Sequence, residues 1–152
     1  MTPRIPKPLT EEHEELHAEL VKLTRARGKV GEAARAVAAL LHPHFVKEEE
    51  YALPPLGLLA ALAAGPPTPE MRAVLPMTDR LRAELPQMLD EHKAVLGALR
   101  RLAAAGRREK KPAAVRFAEA LTLHALSEEQ VLYPAAILVG EYIRARTGGS
   151  AT

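Results

Sequence analysis

Apolar side chains recur every three or four residues along several stretches of the chain, which is the spacing of one buried face of an α-helix. The first of these stretches contains Leu16, Leu20 and Leu23. Thr10 precedes it, and threonine is a residue type that caps helix N-termini. Gly28 follows it, and glycine commonly ends helices. We therefore predict a first helix that begins at Thr10 and ends at Gly28.

The same spacing predicts three more helices, separated by segments rich in glycine and proline. Leu40 and Val131 are among the positions that we expect to be buried on them, and we expect Pro43 and Pro134 to bend them. The segment from Pro54 to Pro69 is predicted to be a loop with room for one short helix. The predicted helices extend from about Val30 to Tyr51, from Glu70 to Ala105 and from Pro112 to Arg146.

Four amphipathic helices with mostly short connections favour an all-α fold, an antiparallel up-down four-helix bundle. The 152 residues suffice for one domain, and a composition rich in Ala, Leu, Glu and Arg, with only 3% aromatic residues, also favours helix. We predict an N-terminal arm over residues 1–9, the bundle over 10–146 and a disordered tail over 147–152.

The two halves of the chain carry the same motif, 79 or 80 residues apart. In each half a glutamate–histidine pair precedes a second histidine, which two consecutive glutamates follow at the fourth and fifth positions, and a proline follows at the tenth. We therefore predict two similar helical hairpins packed face to face, with their histidines at one level. The repeated residues are His13, His44 and Glu48 in the first half, and His92, His124 and Glu128 in the second.

The repeated histidines and glutamates fall on the apolar faces of their predicted helices. Glu48 and Glu128 are the most informative, because a buried carboxylate is costly unless a cation or hydrogen bonds compensate for its lost hydration. Side chains four residues apart on a helix can reach the same ion, and imidazole with carboxylate suits iron, manganese or zinc. A single buried histidine is usually a hydrogen-bonded core residue, so the prediction of a two-metal site depends on the repetition. We interpret the neighbouring Glu49, Glu50 and Glu129 as surface charges; the alternative is that they support the ligands.

The repeated motif, Glu-His with leucines after it and then His-x-x-x-Glu-Glu, resembles the hemerythrin family, specifically its bacterial HHE cation-binding branch. The resemblance covers about residues 10–146. It implies an up-down four-helix bundle with a non-haem di-iron centre that binds oxygen or related small molecules. It also implies the metal ligands His13, His44, Glu48, His92, His124 and Glu128.

The chain departs from the oxygen-carrying members of that family in two respects. Those proteins have a second histidine one turn after the ligand of the third helix, where this chain has Leu96, and a longer spacing to the carboxylate of the last helix. This chain instead has His17 one turn after His13. We hypothesise that His17 is a seventh ligand; the alternative is a core or supporting histidine. A His17→Ala variant with unchanged metal content and spectrum would disprove the hypothesis.

The function expected from these residues is that of a di-iron protein that binds oxygen, nitric oxide or iron for carriage, storage or sensing. The alternatives are a di-iron enzyme that acts on peroxide or repairs iron centres, and an interaction bundle with a zinc-filled or degenerate site. No acid–base constellation is visible beyond the ligands, so we lean away from an enzyme. The expected cofactor is two iron ions, with zinc or manganese as alternatives, and the expected partner is a small diatomic molecule. A protein partner is not identified by the sequence, and a sensor would need a separate one.

Composition argues against several other classes of function. The formal charge of +2, from 21 basic and 19 acidic side chains, gives no strong field for nucleic acid. The longest apolar run, Ala52 to Ala64, is interrupted by prolines and a glycine and is shorter than the roughly 20 residues of a membrane span. The chain has no cysteine, which excludes disulfides and thiolate metal sites, and its first ten residues lack the apolar stretch of a signal peptide. We therefore expect a cytoplasmic location.

Overall fold

Helices make up nearly all of the secondary structure in the computed structural model, which describes residues 3–148. Helices α1 and α2 form one hairpin, and α4 forms a second hairpin with the consecutive helices α5 and α6, while α3 lies in the connection between the hairpins. Helix α4 packs against α2, α5 and α6, and α1 packs against α2 and α5. This arrangement confirms the predicted all-α four-helix bundle. The bounds are Lys7–Thr24 (α1), Gly28–Lys47 (α2), Leu59–Ala64 (α3), Leu75–Arg108 (α4), Pro112–Ser127 (α5) and Tyr133–Thr147 (α6).

Helix α1 begins three residues earlier than the sequence pattern predicted. Pro6 precedes its first residue and Pro8 lies in its first turn, where the missing N–H of proline leaves no hydrogen bond unmade. Thr10 is therefore inside the helix, and part of the predicted arm, Lys7 to Leu9, is helical. At the other end of the chain α6 extends to Thr147, and the remainder of the predicted tail, residues 149–152, lies outside the described residues.

The third long helix does not end at the predicted Ala105: α4 continues to Arg108, and Gly106 lies buried inside it. A Cβ atom at this position would lie 3.0 Å from the Cβ of Ala114, so the glycine allows α5 to approach closely. The chain turns a few residues later, where Lys110 has a φ of 56° and the Lys111 N–H donates to the Gly106 carbonyl at 2.8 Å. The predicted start at Glu70 falls in a short 3₁₀ segment, Pro69–Val74, that precedes α4.

Two prolines coincide with wide, π-helical turns. The Leu53 N–H donates to the Glu48 carbonyl at 2.9 Å, and the Tyr133 N–H donates to the Glu128 carbonyl, each across five residues. Pro54 and Pro134 come directly afterwards. Because proline has no N–H and its ring clashes with the carbonyl four residues earlier, a regular α-helix cannot pass through these positions undisturbed. The predicted bend at Pro134 thus takes the form of a wider turn that starts at a repeated glutamate, whereas Pro43 lies inside the continuous α2.

Apolar side chains fill the bundle on both sides of a polar layer. On one side is a cluster that includes Phe45, Leu99 and Leu121, and on the other is a cluster that includes Leu81 and Met88. The predictions that Leu40 and Val131 are buried were wrong: they are 40% and 59% exposed. Leu40 lies beside the inward-facing stripe of α2 rather than on it. Val131 lies in the π-helical turn Glu128–Leu132, which has more residues per turn than an α-helix and therefore changes the direction of the side chains.

The helices within residues 3–148 are too short or too polar to cross a lipid bilayer.

Candidate metal centre

Six polar residues meet in the layer between the two apolar clusters. All six are buried, with exposed fractions of 5% or less. Each of the four long helical segments of the bundle contributes at least one of them, and the two glutamates occupy the first positions of the two π-helical turns. The six are His13, His44, Glu48, His92, His124 and Glu128, the residues of the sequence repeat.

The six side chains form two groups, in each of which four potential ligand atoms lie within 4.8 Å of one another. The first group, termed the α1/α5 position, has the imidazoles of His13 and His124. The second group, termed the α2/α4 position, has those of His44 and His92. The carboxylates of Glu48 and Glu128 belong to both groups. Each position therefore offers two imidazoles and two shared carboxylates, a donor set that suits iron, manganese or zinc.

Four buried atoms of the α1/α5 position have no hydrogen-bond partner among residues 3–148: His13 Nε2, Glu48 Oε1, His124 Nε2 and Glu128 Oε2. One atom comes from each member of the group. His124 Nε2 and Glu128 Oε2 lie 3.1 Å apart, but they are not aligned as a hydrogen bond. Each unpaired buried polar atom costs about 1–3 kcal/mol. A cation between these atoms would satisfy all four, so the residues fit a metal ion.

Carboxylates from the opposite hairpin hold the outer ring nitrogen of two of the histidines. Glu91 Oε1 lies 2.8 Å from His44 Nδ1, and Glu12 Oε1 contacts His124 Nδ1. Such a carboxylate accepts the Nδ1–H of the imidazole and thereby directs the unprotonated Nε2 toward the metal position. Glu12 and Glu91, the residues just before His13 and His92, therefore orient the histidines of α5 and α2.

The other two histidines have carboxylates of their own hairpin at Nδ1. Glu129 Oε1 lies 2.9 Å from His92 Nδ1, and Glu49 Oε1 lies 3.6 Å from His13 Nδ1. The interpretation of Glu129 as a surface charge was therefore wrong, and its supporting role was the better alternative. All four histidines thus have a glutamate near Nδ1. Every glutamate of the repeated motif either belongs to the two groups of potential ligand atoms or lies near the Nδ1 atom of one of these histidines.

The buried charges perturb one another. Burial and the charge of Glu128 raise the pKa of Glu48 to about 7. Burial alone would also raise the pKa of Glu128, but its contacts with Glu48 and the surrounding histidines hold it well below the usual range. Burial would lower the pKa of His124, but the adjacent carboxylates outweigh this and raise it to about 9; the pKa values of His13 and His44 are raised for the same reason. The carboxylates thus favour positive charge at the centre, whether it is carried by protons or by metal ions.

Sequence reasoning missed Tyr133, whose side chain is fully buried beside the α2/α4 position. Its hydroxyl donates to Glu48 Oε2 at 2.5 Å and lies 3.1 Å from His44 Nε2 and 3.2 Å from His92 Nε2. The residue at the matching position of the first half, 80 residues earlier, is Leu53. A search of the repeat for members that differ between its halves would have found this tyrosine.

His17 is exposed on α1 and lies outside both groups of ligand atoms. With His13, His42 and Phe45 it lines a cavity of about 420 Å³ between α1 and α2. Its role as a seventh ligand stays a prediction. The metal content and spectrum of the His17→Ala variant test it.

Comparison with models of protein families gave a match to the hemerythrin HHE cation binding domain over residues 5–136. Comparisons with curated proteins and with solved structures gave no match. The family match covers most of the chain and includes both halves of the repeat, with all six residues of the two metal positions. The chain therefore belongs to the hemerythrin HHE cation-binding domain family.

Proposed function

We propose that the protein holds two iron ions in its core and uses them to bind oxygen or nitric oxide, or to hold iron itself, for carriage, storage or sensing. The observation that carries the proposal is the set of four unpaired, buried donor atoms at the α1/α5 position. Two carboxylates shared with the α2/α4 position support a pair of ions rather than a single one. In this proposal Glu48 and Glu128 would help to hold the ions at both positions.

The surroundings of the centre suit a small, weakly polar ligand. An iron pair would supply the electrons and the open coordination positions that oxygen or nitric oxide requires. Phe45 stacks on His13 with ring centroids 4.1 Å apart and keeps one side of the α1/α5 position apolar. The cavity between α1 and α2 has His13 in its lining and therefore adjoins the α1/α5 position.

Metal content tests this proposal. Protein that is expressed with added iron and purified without chelators should contain two iron ions per chain by elemental analysis. The Glu48→Gln variant should lose iron, because it removes the charge of one carboxylate that both positions share. Glu50→Gln is the matched control, since Glu50 is an exposed carboxylate of the same turn. Wild-type protein that takes up no iron, or a single zinc ion, would contradict the di-iron proposal.

Ligand binding tests the second part of the proposal. Nitric oxide added to the reduced, iron-loaded protein should change its absorption spectrum, and Glu50→Gln should respond as the wild type does. An iron-loaded wild type that is spectroscopically silent toward both nitric oxide and oxygen would restrict the function to iron holding.

A further inference from the structure

We propose that Tyr133 is a metal ligand that makes the two halves of the centre unequal. Its phenolate oxygen completes the α2/α4 position, and the α1/α5 position remains open to an external small molecule. This inference rests on the proposed di-iron function, because it assigns a fifth donor to one of the two metal positions.

The tyrosine oxygen lies within 3.4 Å of a potential metal-ligand atom from every member of the α2/α4 group. A neutral hydroxyl has one hydrogen to donate, and it is directed to Glu48. The oxygen can accept from Nε2 of His44 or His92, but the hydroxyl has no second hydrogen for Glu128 Oε1. The distances from the Tyr133 oxygen are 2.5 Å to Glu48 Oε2, 3.1 Å to His44 Nε2, 3.2 Å to His92 Nε2 and 3.4 Å to Glu128 Oε1.

These distances are those of neighbouring ligands around one cation. Adjacent donors at right angles, each about 2.1 Å from an ion, lie about 3 Å apart. The two imidazole nitrogens have the same spacing: His44 Nε2 lies 2.9 Å from His92 Nε2. Glu128 Oε1 lies 3.2 Å from His92 Nε2. The five atoms therefore have the spacing of the complete ligand set of a five-coordinate ion, and Tyr133 supplies the one that the sequence repeat lacks.

The α1/α5 position differs from the α2/α4 position in two ways. The residue of the first half that matches Tyr133 is Leu53, which has no donor atom. The side chain of His13 lines the 420 Å³ cavity between α1 and α2, whereas neither His44 nor His92 does. The half of the centre with fewer donors is thus the half that has a histidine in the cavity lining.

Binding of the tyrosine oxygen requires the loss of one proton. Without metal the hydroxyl keeps this proton and donates a hydrogen bond to Glu48 Oε2. When the ion binds, the O–H bond breaks, the oxygen keeps the electron pair and shares it with the ion, and the proton leaves to solvent. The step changes no oxidation state, and proton release on metal binding is common to sites of this kind.

Spectroscopy of the iron(III)-loaded protein tests the assignment. A phenolate on iron(III) gives a visible charge-transfer band and strong phenolate vibrations in the resonance Raman spectrum. We expect both in the wild type and neither in Tyr133→Phe, which keeps the ring in the core but lacks the oxygen. Tyr51→Phe is the matched control: Tyr51 is also buried, and its hydroxyl contacts Met88 Sδ at 3.4 Å instead of the ligand atoms. It should keep both signals.

Azide tests the asymmetry. The wild type should bind one azide per centre, and Tyr133→Phe should bind two, because loss of the oxygen opens the α2/α4 position. A wild type that binds two azides would overturn the asymmetry.

Iron-loaded wild type without phenolate signals, or a Tyr133→Phe variant that retains them, would overturn the ligand assignment and leave the di-iron proposal standing. Wild-type protein that does not load iron would overturn the proposed function instead. If Tyr133→Phe does not load iron, wild-type protein that contains ring-deuterated tyrosine tests the assignment instead. Its Raman bands should shift if a tyrosine binds the iron. Bands that do not shift, or that are absent, would overturn the assignment.

Discussion

At the scale of single residues, both nitrogens of each histidine in the centre have a defined environment. Nε2 faces the metal positions, and Nδ1 faces a glutamate. For His92 that glutamate is Glu129, whose side chain is 29% exposed while the imidazole is 3% exposed. The carboxylate can therefore keep part of its hydration while it fixes the orientation of a buried ring. Burial of the Glu129 carboxylate therefore costs less free energy than burial of the Glu48 and Glu128 carboxylates, which are fully buried.

Replacement of Glu129 by alanine should weaken metal binding through His92. The variant removes the acceptor for the Nδ1–H, so the ring is free to turn and its Nε2 is a weaker donor. Loss of such a partner typically reduces metal affinity by about 10–100-fold. Competition against a chelator measures this, with Gln130→Ala, an exposed neighbour in the same turn, as the control. Equal affinities in both variants would show that Glu129 does not orient His92.

That six polar side chains are buried together in the bundle could be predicted from the sequence, because each lies on an apolar helical face and the set is repeated in the two halves. The roles of Glu12 and Glu91 could not be predicted in the same way. Each contacts a histidine of the other hairpin, so the contact depends on how the hairpins pack, and the periodicity of one helix carries no information about that. Tyr133 was missed for a different reason, since it breaks the repeat that revealed the rest.

At the scale of the helical elements, the wide turns at Glu48 and Glu128 connect the sequence repeat to the geometry of the centre. The number and order of the long helices followed from the spacing of the apolar residues. That analysis assumes a regular helix with 3.6 residues per turn, so it cannot show where a π-helical turn takes in one more residue. The prolines at 54 and 134 are the sequence features that mark these turns. The wider turn at Glu128 also explains why Val131, which a regular helix would bury, is exposed.

Close packing of α4 against α6 depends on Gly140. A Cβ atom there would clash with Thr78, with 2.6 Å to its Cβ, and Thr78 is itself buried. Gly140→Ala should therefore lower the free energy of unfolding by about 1–3 kcal/mol. Gly97→Ala is the control within α4, where the added methyl group meets no atom closer than 3.8 Å; it should raise stability by about 0.5–1 kcal/mol. Urea denaturation measures both, and equal effects would contradict the packing argument.

The start of α2 is stabilised by a residue distant in sequence. Glu109, which follows α4, accepts the backbone N–H groups of Lys29 and Val30 at 2.9 and 3.0 Å. These hydrogen bonds lower its pKa below the usual range. The carboxylate thus acts as a cap for the first turn of α2, which has no capping side chain of its own.

Glu109→Gln should lower the melting temperature at neutral pH, because the amide is a weaker acceptor and lacks the charge that suits a helix N-terminus. The folded-state pKa is the lower one, so the contribution is present above the ordinary pKa of a glutamate and disappears as the pH falls through the folded-state value. Thermal unfolding of both proteins across this range should show curves that converge in acid. Glu119→Gln, a charge loss on the exposed surface of α5, should show no such convergence.

At the scale of the whole molecule, the centre joins the two hairpins. Each metal position takes one histidine from each hairpin, and the two shared glutamates come from different hairpins. Metal ions at these positions would therefore cross-link the halves of the bundle. Without them, the halves are held together by the apolar clusters and by hydrogen bonds between the hairpins, such as that of Glu91 with His44, around a layer that contains unpaired polar atoms.

Metal should consequently stabilise the entire fold. An ion that binds only the folded chain adds about 2.7 kcal/mol to the free energy of unfolding when its free concentration is 100 times the dissociation constant. We expect iron(II), added to chelator-treated protein under anaerobic conditions, to raise the melting temperature. A variant with both Glu48→Gln and Glu128→Gln should gain nothing, because it lacks the carboxylates that both positions share. Calorimetry measures the change. Equal melting temperatures of wild-type protein with and without metal would mean that the buried layer is stable on its own, which the four unpaired donor atoms argue against.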